Sequence, residues 1–210
     1  MAIVDEIKTV ITPATAEKFF KDAKPKPVGE TVKYVGTVAI ATLLGWLLLY
    51  MGYGGGQMGM GLKVAIGQYI MIIVAVVGTG YVLSMVGESV AKRKVTPEEG
   101  VMIVGYAMTP ALLAGILYAV SWQAGALVSI AGLYSLYMLY VASKARFGAE
   151  NAVVTVVAVI VGAIVVGVIV SAILSALGLG LGGNLGYGGL GGGSGTYTFN
   201  SPKGTFTWSY

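Results

Sequence analysis

The chain has 210 residues, of which 56% are hydrophobic and only 10% are charged, and its formal net charge is +4. Soluble domains carry about 25% charged residues, so this composition excludes an ordinary water-soluble fold, and the small net charge does not indicate a nucleic-acid partner. The chain has neither cysteine nor histidine, which excludes disulfides, thiolate chemistry and histidine-based ligation or catalysis. We therefore expect no enzyme activity, no catalytic residues, no metal and no cofactor.

Residues 1–33 form a mixed-charge segment in which two short amphipathic helices are predicted. Apolar residues recur at helical spacing before residue 12, and the stretch TPATAEKFF predicts a second helix that begins at Pro13, with Thr12 as its N-cap. These helices either lie on the cytoplasmic leaflet with Phe19 and Phe20 among the lipids, or pack on the ends of the membrane spans. The sequence favours neither alternative.

Five apolar runs are long enough to cross about 30 Å of hydrocarbon. They cover residues 34–53, 64–87, 101–120, 125–142 and 152–177. Only a tight turn at SWQAG separates the third run from the fourth, and Pro110 predicts a kink in the third because proline removes a helical hydrogen bond. The predicted fold class is an all-α integral membrane protein whose five-helix transmembrane domain covers residues 34–177.

Basic residues predict the orientation of these spans, because lysine and arginine are retained on the cytoplasmic side. All but two of the 13 basic residues fall on one side of the predicted topology, the exceptions being Lys63 and Lys203. We therefore expect a cytoplasmic N-terminus and an extracytoplasmic C-terminus.

No ionisable residue lies near the middle of any predicted span. Ion-coupled transporters need an intramembrane charge and intramembrane proteases need a catalytic pair, so both classes are disfavoured. A transporter or channel for a neutral or lipidic molecule, lined by threonine and glycine, stays open as an alternative function.

Small residues recur at four-residue spacing in two of the predicted spans, a pattern that lets helix backbones approach closely in lipid. The third span carries Ala107, Ala111, Gly115 and Ala119, and the fifth carries Ala163, Gly167, Ser171 and Ser175. Packing within one bundle is the favoured interpretation, and packing between subunits is the alternative.

The C-terminal region consists of a glycine-rich linker, residues 178–195, and a predicted extracytoplasmic β-hairpin, residues 196–210. A four-residue loop from Ser201 to Gly204, with Pro202 at its second position, would close the hairpin as a type I turn. That register places aromatic residues opposite one another on one face, Tyr197 with Trp208 and Phe199 with Phe206.

A two-stranded hairpin is only marginally stable in water, so the edges and the aromatic face of this one need further contacts. Its aromatic residues could enter the outer membrane interface, the hairpin could dock on its own bundle, or hairpins of neighbouring copies could pair edge to edge. The last alternative best explains the charge-poor strands and the long linker, and a disordered tail is the competing interpretation. We therefore expect a homo-oligomer.

The middle of the chain resembles the Yip1 domain family. The stretch YVLSMVGESVAKRKVTPEEGVMIVGYAMTPALL is similar to the centre of that domain, and its most specific elements are Gly105, Tyr106 and Pro110. The stretches LYSLYMLYVASKARFGAENAVVTVVAVIV and ITPATAEKFFKDAKPKPVGETVKY also resemble members of the family, the latter prokaryotic and archaeal-type ones. The resemblance covers roughly residues 8 to 177.

The resemblance implies five spans and a cytoplasmic N-terminus. Eukaryotic relatives bind prenylated GTPases, but the short N-terminal region and the added tail depart from their pattern, so a GTPase partner is not expected. What the resemblance implies here is a non-enzymatic protein that organises or shapes the bilayer, with membrane lipids and further copies of itself as partners.

Overall fold

The structure of this chain is a computed structural model that describes residues 3–53, 58–91, 94–177, 196–201 and 204–209. It begins with α1 (Ile3–Ile11) and α2 (Pro13–Asp22). Pro13 starts α2 as predicted, because proline suits a first helical turn in which its missing N–H has no intrahelical partner. Thr12 occupies the predicted N-cap position, with extended backbone and a carbonyl that accepts the Ala16 N–H, but its side chain makes no capping hydrogen bond and donates instead to the Lys8 carbonyl at 3.5 Å.

Four helices among the described residues are long and apolar enough to cross a membrane. They are α3 (Val28–Tyr53), α4 (Met58–Ala91), α7 (Gly125–Phe147) and α8 (Ala149–Ala176). Between α4 and α7 lie α5 (Pro97–Ala107), α6 (Thr109–Ala114) and the 3₁₀ turn Gly115–Ala119, which make a fifth span if they are counted as one. Each of these four helices covers its predicted run to within one residue and extends past it at one end or both, since helical hydrogen bonding continues into the flanking residues.

The third predicted span is broken at Met108, where α5 and the helical segment Thr109–Ala119 meet at an angle of 43°. Pro110 explains the break, because it cannot donate the backbone hydrogen bond of a continuous helix and its ring crowds the preceding turn. The predicted kink is thus confirmed. The tight turn at SWQAG is also present, as a short 3₁₀ segment, Trp122–Ala124, that leads directly into α7.

Helix α4 packs against α3, α5 and α8 and so lies at the centre of the bundle. The backbones of α4 and α5 approach closely at Gly80 and Gly100, where a Cβ atom on Gly100 would overlap the Gly80 carbonyl oxygen. Helix α7 packs against α8, α6 and α2. Gly148 joins α7 to α8 with a φ of 84°, a left-handed conformation that glycine adopts at low cost.

The segment after α2, the start of α5 and the end of α7 meet at one end of the bundle. We call it the basic end, because Lys26, Lys144 and Arg146 lie there in contact with acidic residues. The basic end is also where α1 and α2 lie, so the N-terminal segment shares its core with the helices of the bundle.

At the C-terminus, β1 (Thr196–Ser201) and β2 (Gly204–Ser209) are assigned as antiparallel strands. Their backbone register places Tyr197 opposite Trp208 and Phe199 opposite Phe206. Pro202 and the glycine-rich linker, residues 178–195, lie outside the described residues. The assembly role predicted for this tail stays a prediction.

Candidate functional site

The N-terminal helices are packed into the protein at the basic end. Val10, Ala16 and Phe20 are fully buried and belong to one apolar core with residues of α3, α4, α5 and α7. Phe19 is partly buried, and its ring centroid lies 5.2 Å from that of Tyr106. Of the two alternatives, the structure therefore shows the second, in which the N-terminal helices pack on the bundle. The predicted insertion of Phe20 into lipid is wrong, because protein encloses its ring.

A network of three polar side chains anchors α1 to the bundle. The Lys26 ammonium lies 2.7 Å from Oε1 of Glu6, and the Tyr106 hydroxyl donates to Oε2 of the same carboxylate at 2.9 Å. Lys26 also donates to the Tyr106 hydroxyl at 3.0 Å. Both carboxylate oxygens are thus occupied by donors, which is what a buried carboxylate requires, so the network is suited to holding α1 in place.

The environment of Lys26 keeps this network charged. Burial alone would lower the pKa of the Lys26 ammonium, but the hydrogen bonds to Glu6 and Tyr106 outweigh it and hold the pKa above its usual range. A group whose pKa is raised on folding stabilises the folded state fully at pH values below its unfolded-state pKa. That stabilisation is lost only as the pH rises through the pKa of the folded state. The Lys26 contact therefore keeps its full strength throughout the neutral pH range.

Tyr106 also connects the network to α3 and to the kinked helix. Its ring stacks on that of Tyr34 with centroids 4.2 Å apart, and the Tyr34 hydroxyl shares a 2.9 Å hydrogen bond with Thr109. Tyr106 and Thr109 are both essentially fully buried. One aromatic residue thereby joins α1, the segment after α2, α3 and α5.

Helix α7 supplies further contacts to the N-terminal segment. Arg146 lies 3.7 Å from the buried Glu99 carboxylate and donates a hydrogen bond to the carbonyl of Ala23. The Tyr134 hydroxyl donates to the carbonyl of Ile11. Lys144 and Glu17 are 3.4 Å apart but largely exposed, so we assign that ion pair little energy.

The three residues that carry the family resemblance have distinct structural roles at the junction of α5 and α6. A Cβ atom on Gly105 would lie 2.9 Å from methyl groups of both Thr31 and Val35, so glycine at this position lets α3 and α5 approach. Tyr106 is the centre of the polar network, and Pro110 follows directly after the helix break.

The break in the third span leaves backbone groups that neighbouring helices satisfy. Ser135 on α7 accepts a hydrogen bond from the Ala111 N–H at 3.0 Å, and Thr42 on α3 donates to the Leu112 carbonyl at 2.7 Å. Non-helical backbone inside a membrane domain needs such partners, because no water is available there. The kink is therefore a stabilised feature of the bundle.

The two small-residue stripes lie in different surroundings. In the third span, Ala107 and Gly115 are buried, Gly115 directly against Thr42, while Ala111 and Ala119 are partly buried. The stripe on α8 is more exposed than the one in the third span. Ala163, Ser171 and Ser175 are exposed, and a Cβ atom on Gly167 would meet nothing within 4 Å. The buried face of α8 is formed instead by Ala152, Thr155, Val159, Gly162, Val170 and Leu174.

A cleft of about 460 Å³ lies between α4, the bent α5–α6 pair, α7 and α8. Its wall includes Met108 and Leu112 beside the kink, and Ser135 on the opposite helix. No charged residue lines it among the described residues. Across those same residues, no group of three or more acidic side chains is placed to hold a metal ion.

Four residues that the structure joins to Tyr106 were not predicted to form a network: Glu6, Lys26, Tyr34 and Thr109. A signal was available for Glu6, because it interrupts the apolar face of α1 between Ile3 and Val10. An acidic residue on an apolar face needs a buried partner. Its partner, Tyr106, lies 100 residues away in the sequence, and spacing alone does not reveal it.

Comparison with known proteins supports the resemblance noted in the sequence. No curated protein and no solved structure matches the chain. The profile of the Yip1 domain matches residues 8–173, from within α1 almost to the end of α8. The match includes the kink and, of the polar network, Lys26 and Tyr106 but not Glu6. Because this match covers well over half of its residues, the chain, an integral membrane protein with several apolar helices, belongs to the Yip1 domain family.

Proposed function

We propose that this protein is a non-enzymatic membrane organiser that self-associates within the bilayer. The observation that carries the proposal is the outward position of the α8 small-residue stripe: Gly167, Ser171 and Ser175 lie outside the packed face of the chain, and Ala163 lies exposed at the edge of the cleft. In lipid, a stripe of this kind favours close helix–helix contact, and Gly167, Ser171 and Ser175 are not on the face of α8 that is buried within the chain.

Helix α8 is also the least enclosed of the candidate spans. In its most apolar window of 18 residues only 22% are buried, against 50% in α3. A helix on the outer surface of a bundle is accessible to a second copy, so the exposed stripe and the peripheral position of α8 support the same contact.

In the proposed assembly, the N-terminus and the basic end face the cytoplasm, where lysine and arginine are retained during insertion. The docked α1 and α2 would add mass on that side of the bilayer, and the C-terminal hairpin would lie on the other side. There, edge-to-edge pairing of β1 and β2 with strands of neighbouring copies would extend contacts made through α8 into a lattice or tubule. Neither a GTPase nor a nucleic acid has a part in this proposal.

Single-cysteine variants test the α8 contact directly, because the natural chain has no cysteine and every introduced thiol is unique. We expect Gly167→Cys and Ser171→Cys to form disulfide-linked dimers when membranes are oxidised, because the two copies of the stripe would face one another. The measurement is the fraction of dimer on a non-reducing denaturing gel.

The matched controls are Val165→Cys and Ile169→Cys, which are 53% and 54% exposed and, being two residues from Gly167, lie on the opposite side of α8. They are expected to stay monomeric under the same oxidation. Equal cross-linking at all four positions, or none at Gly167→Cys and Ser171→Cys, would contradict the proposed contact.

The second candidate function is transport of a lipidic or neutral molecule, and the cleft beside the kink is the observation that favours it. This alternative requires the cleft to open alternately toward the two membrane surfaces. A dispersed monomer that moves lipid between leaflets of reconstituted vesicles would favour the transporter, whereas cross-linked α8 without lipid movement would favour the membrane organiser.

A further inference from the structure

The cleft has a lining that suits hydrocarbon. Of its polar side chains, Gln68, Thr79 and Ser135, the last already accepts the Ala111 N–H with its hydroxyl oxygen. The other lining residues are apolar apart from one glycine. Met71, Val76 and Leu112 are among them.

Water is a poor occupant of such a space. An ordered water needs two to four polar partners, and a cavity of about 460 Å³ would hold many waters around very few polar groups. An empty cavity is also unfavourable, because the atoms that line it lose their packing contacts. The occupant that suits the cleft is therefore an apolar molecule, and the surrounding membrane can supply one.

The mouth of the cleft shows where that occupant comes from. Ile164 on α8 is 61% exposed and Leu136 on α7 is 36% exposed, whereas Leu139 and Val159, deeper in the cleft, are each only 4% exposed. Both α7 and α8 are candidate membrane spans. The cleft therefore opens sideways, through a gap between these two helices, toward the hydrocarbon of the bilayer.

We propose that the cleft is a binding site for one hydrocarbon chain of a bilayer lipid, which enters between α7 and α8 and packs beside the kink at Met108. A volume of this size falls within the range of small-molecule pockets. Because the lining is uncharged, the site selects a chain and not a head group. The proposal does not depend on self-association, since a single copy contains the whole cleft.

Photolabelling in vesicles tests this site. The probe is a phosphatidylcholine with a diazirine near the end of one acyl chain, diluted into unlabelled phosphatidylcholine around the full-length protein. After irradiation, we expect mass spectrometry to find label on Leu139 and Val159 as well as on the outer residue Ile173, which is 54% exposed. Label on Ile173 alone would overturn the proposal, because the probe would then touch only the outer surface.

Two variants that fill the cleft make the test specific. Ala75→Phe and Gly132→Phe each place a ring in the lining, and Gly132 has open space where its Cβ atom would be. Both variants are expected to lose the label on Leu139 and Val159 and to keep it on Ile173. The matched control, Ala172→Phe, adds the same ring at an exposed α8 position outside the cleft and is expected to label as the natural chain does.

Label that persists on Leu139 and Val159 in both filled variants would also overturn the proposal. If a variant does not insert into the membrane, the labelling pattern of the natural chain still tests the proposal, because that measurement requires no substitution. Failure of the α8 cross-links leaves this pattern unchanged, so the two proposals are tested separately.

Discussion

Replacing Tyr106 with alanine is expected to destabilise the protein by about 3–5 kcal/mol, the usual cost of removing a large, fully buried aromatic side chain. The substitution removes the ring that stacks on Tyr34 and the hydroxyl that bridges Glu6 and Lys26. Because Glu6 would lose a donor and the core would gain a cavity, α1 and α2 should detach from the basic end. Thermal unfolding in detergent measures the stability, and protease cleavage of the N-terminal segment measures the detachment.

Two control variants separate the contributions of the ring and the hydroxyl. Tyr106→Phe keeps the stacking and loses only the hydroxyl, so it should cost about 1–2 kcal/mol. Tyr81→Ala removes a tyrosine side chain that is 42% exposed on α4 and should cost less than about 1 kcal/mol. If Tyr106→Ala were no more destabilising or protease-sensitive than Tyr81→Ala, the polar network would not anchor the N-terminal helices.

Replacing Gly100 with alanine is the second substitution for which we expect a large effect. The new methyl group would overlap the carbonyl oxygen of Gly80, so α4 and α5 must separate along their whole contact. Overpacking costs about 1–3 kcal/mol where flexible side chains can move aside, and we expect at least the upper value because the obstacle is backbone. Thermal unfolding and the amount of folded protein in the membrane fraction are the measurements.

The matched control is Gly132→Ala on α7, where the new methyl group meets nothing within 4 Å. Alanine favours a helix over glycine by up to about 1 kcal/mol, so this variant should be as stable as the natural chain or more so. Equal losses for both variants would mean that the close approach of Gly80 and Gly100 does not limit the packing of α4 on α5.

The membrane-spanning architecture was largely predictable from the sequence, because bilayer thickness and backbone hydrogen bonding act on local stretches of chain. A run such as residues 125–142 must be helical in hydrocarbon whatever its neighbours are. The kink was equally predictable, since the missing N–H of Pro110 is a property of that residue alone. The start of α3 at Val28, earlier than the predicted residue 34, depends on polar flanks for which hydrophobicity gives no boundary.

The packed face of α8 could not be predicted in the same way. A soluble helix reveals its buried side by an apolar stripe, but α8 is apolar all round and lipid leaves no polar side for contrast. Small residues at four-residue spacing therefore did not identify the face that packs within the chain. The structure places Val159 and Gly162 on that face and leaves Ser171 outside it.

The polar network at the basic end was partly hidden for a different reason. The resemblance singled out Tyr106, but neither it nor the amphipathic pattern of α1 indicated that Glu6 would reach its hydroxyl. Such a contact depends on how α1, α5 and the segment around Lys26 fold together, which no local pattern encodes. A partner for Glu6 was required by its place on an apolar face, whereas the identity of that partner was not.

Electron microscopy of vesicles that contain the purified protein tests the central claim, self-assembly in the membrane, most directly. The full-length chain is compared with a variant that lacks residues 196–210, at equal protein-to-lipid ratio. We predict regular arrays or tubules with the full-length chain and dispersed particles with the truncated variant, which should insert into the membrane equally well. The same dispersed particles in both samples would contradict self-assembly through the hairpin and make transport the function to test next.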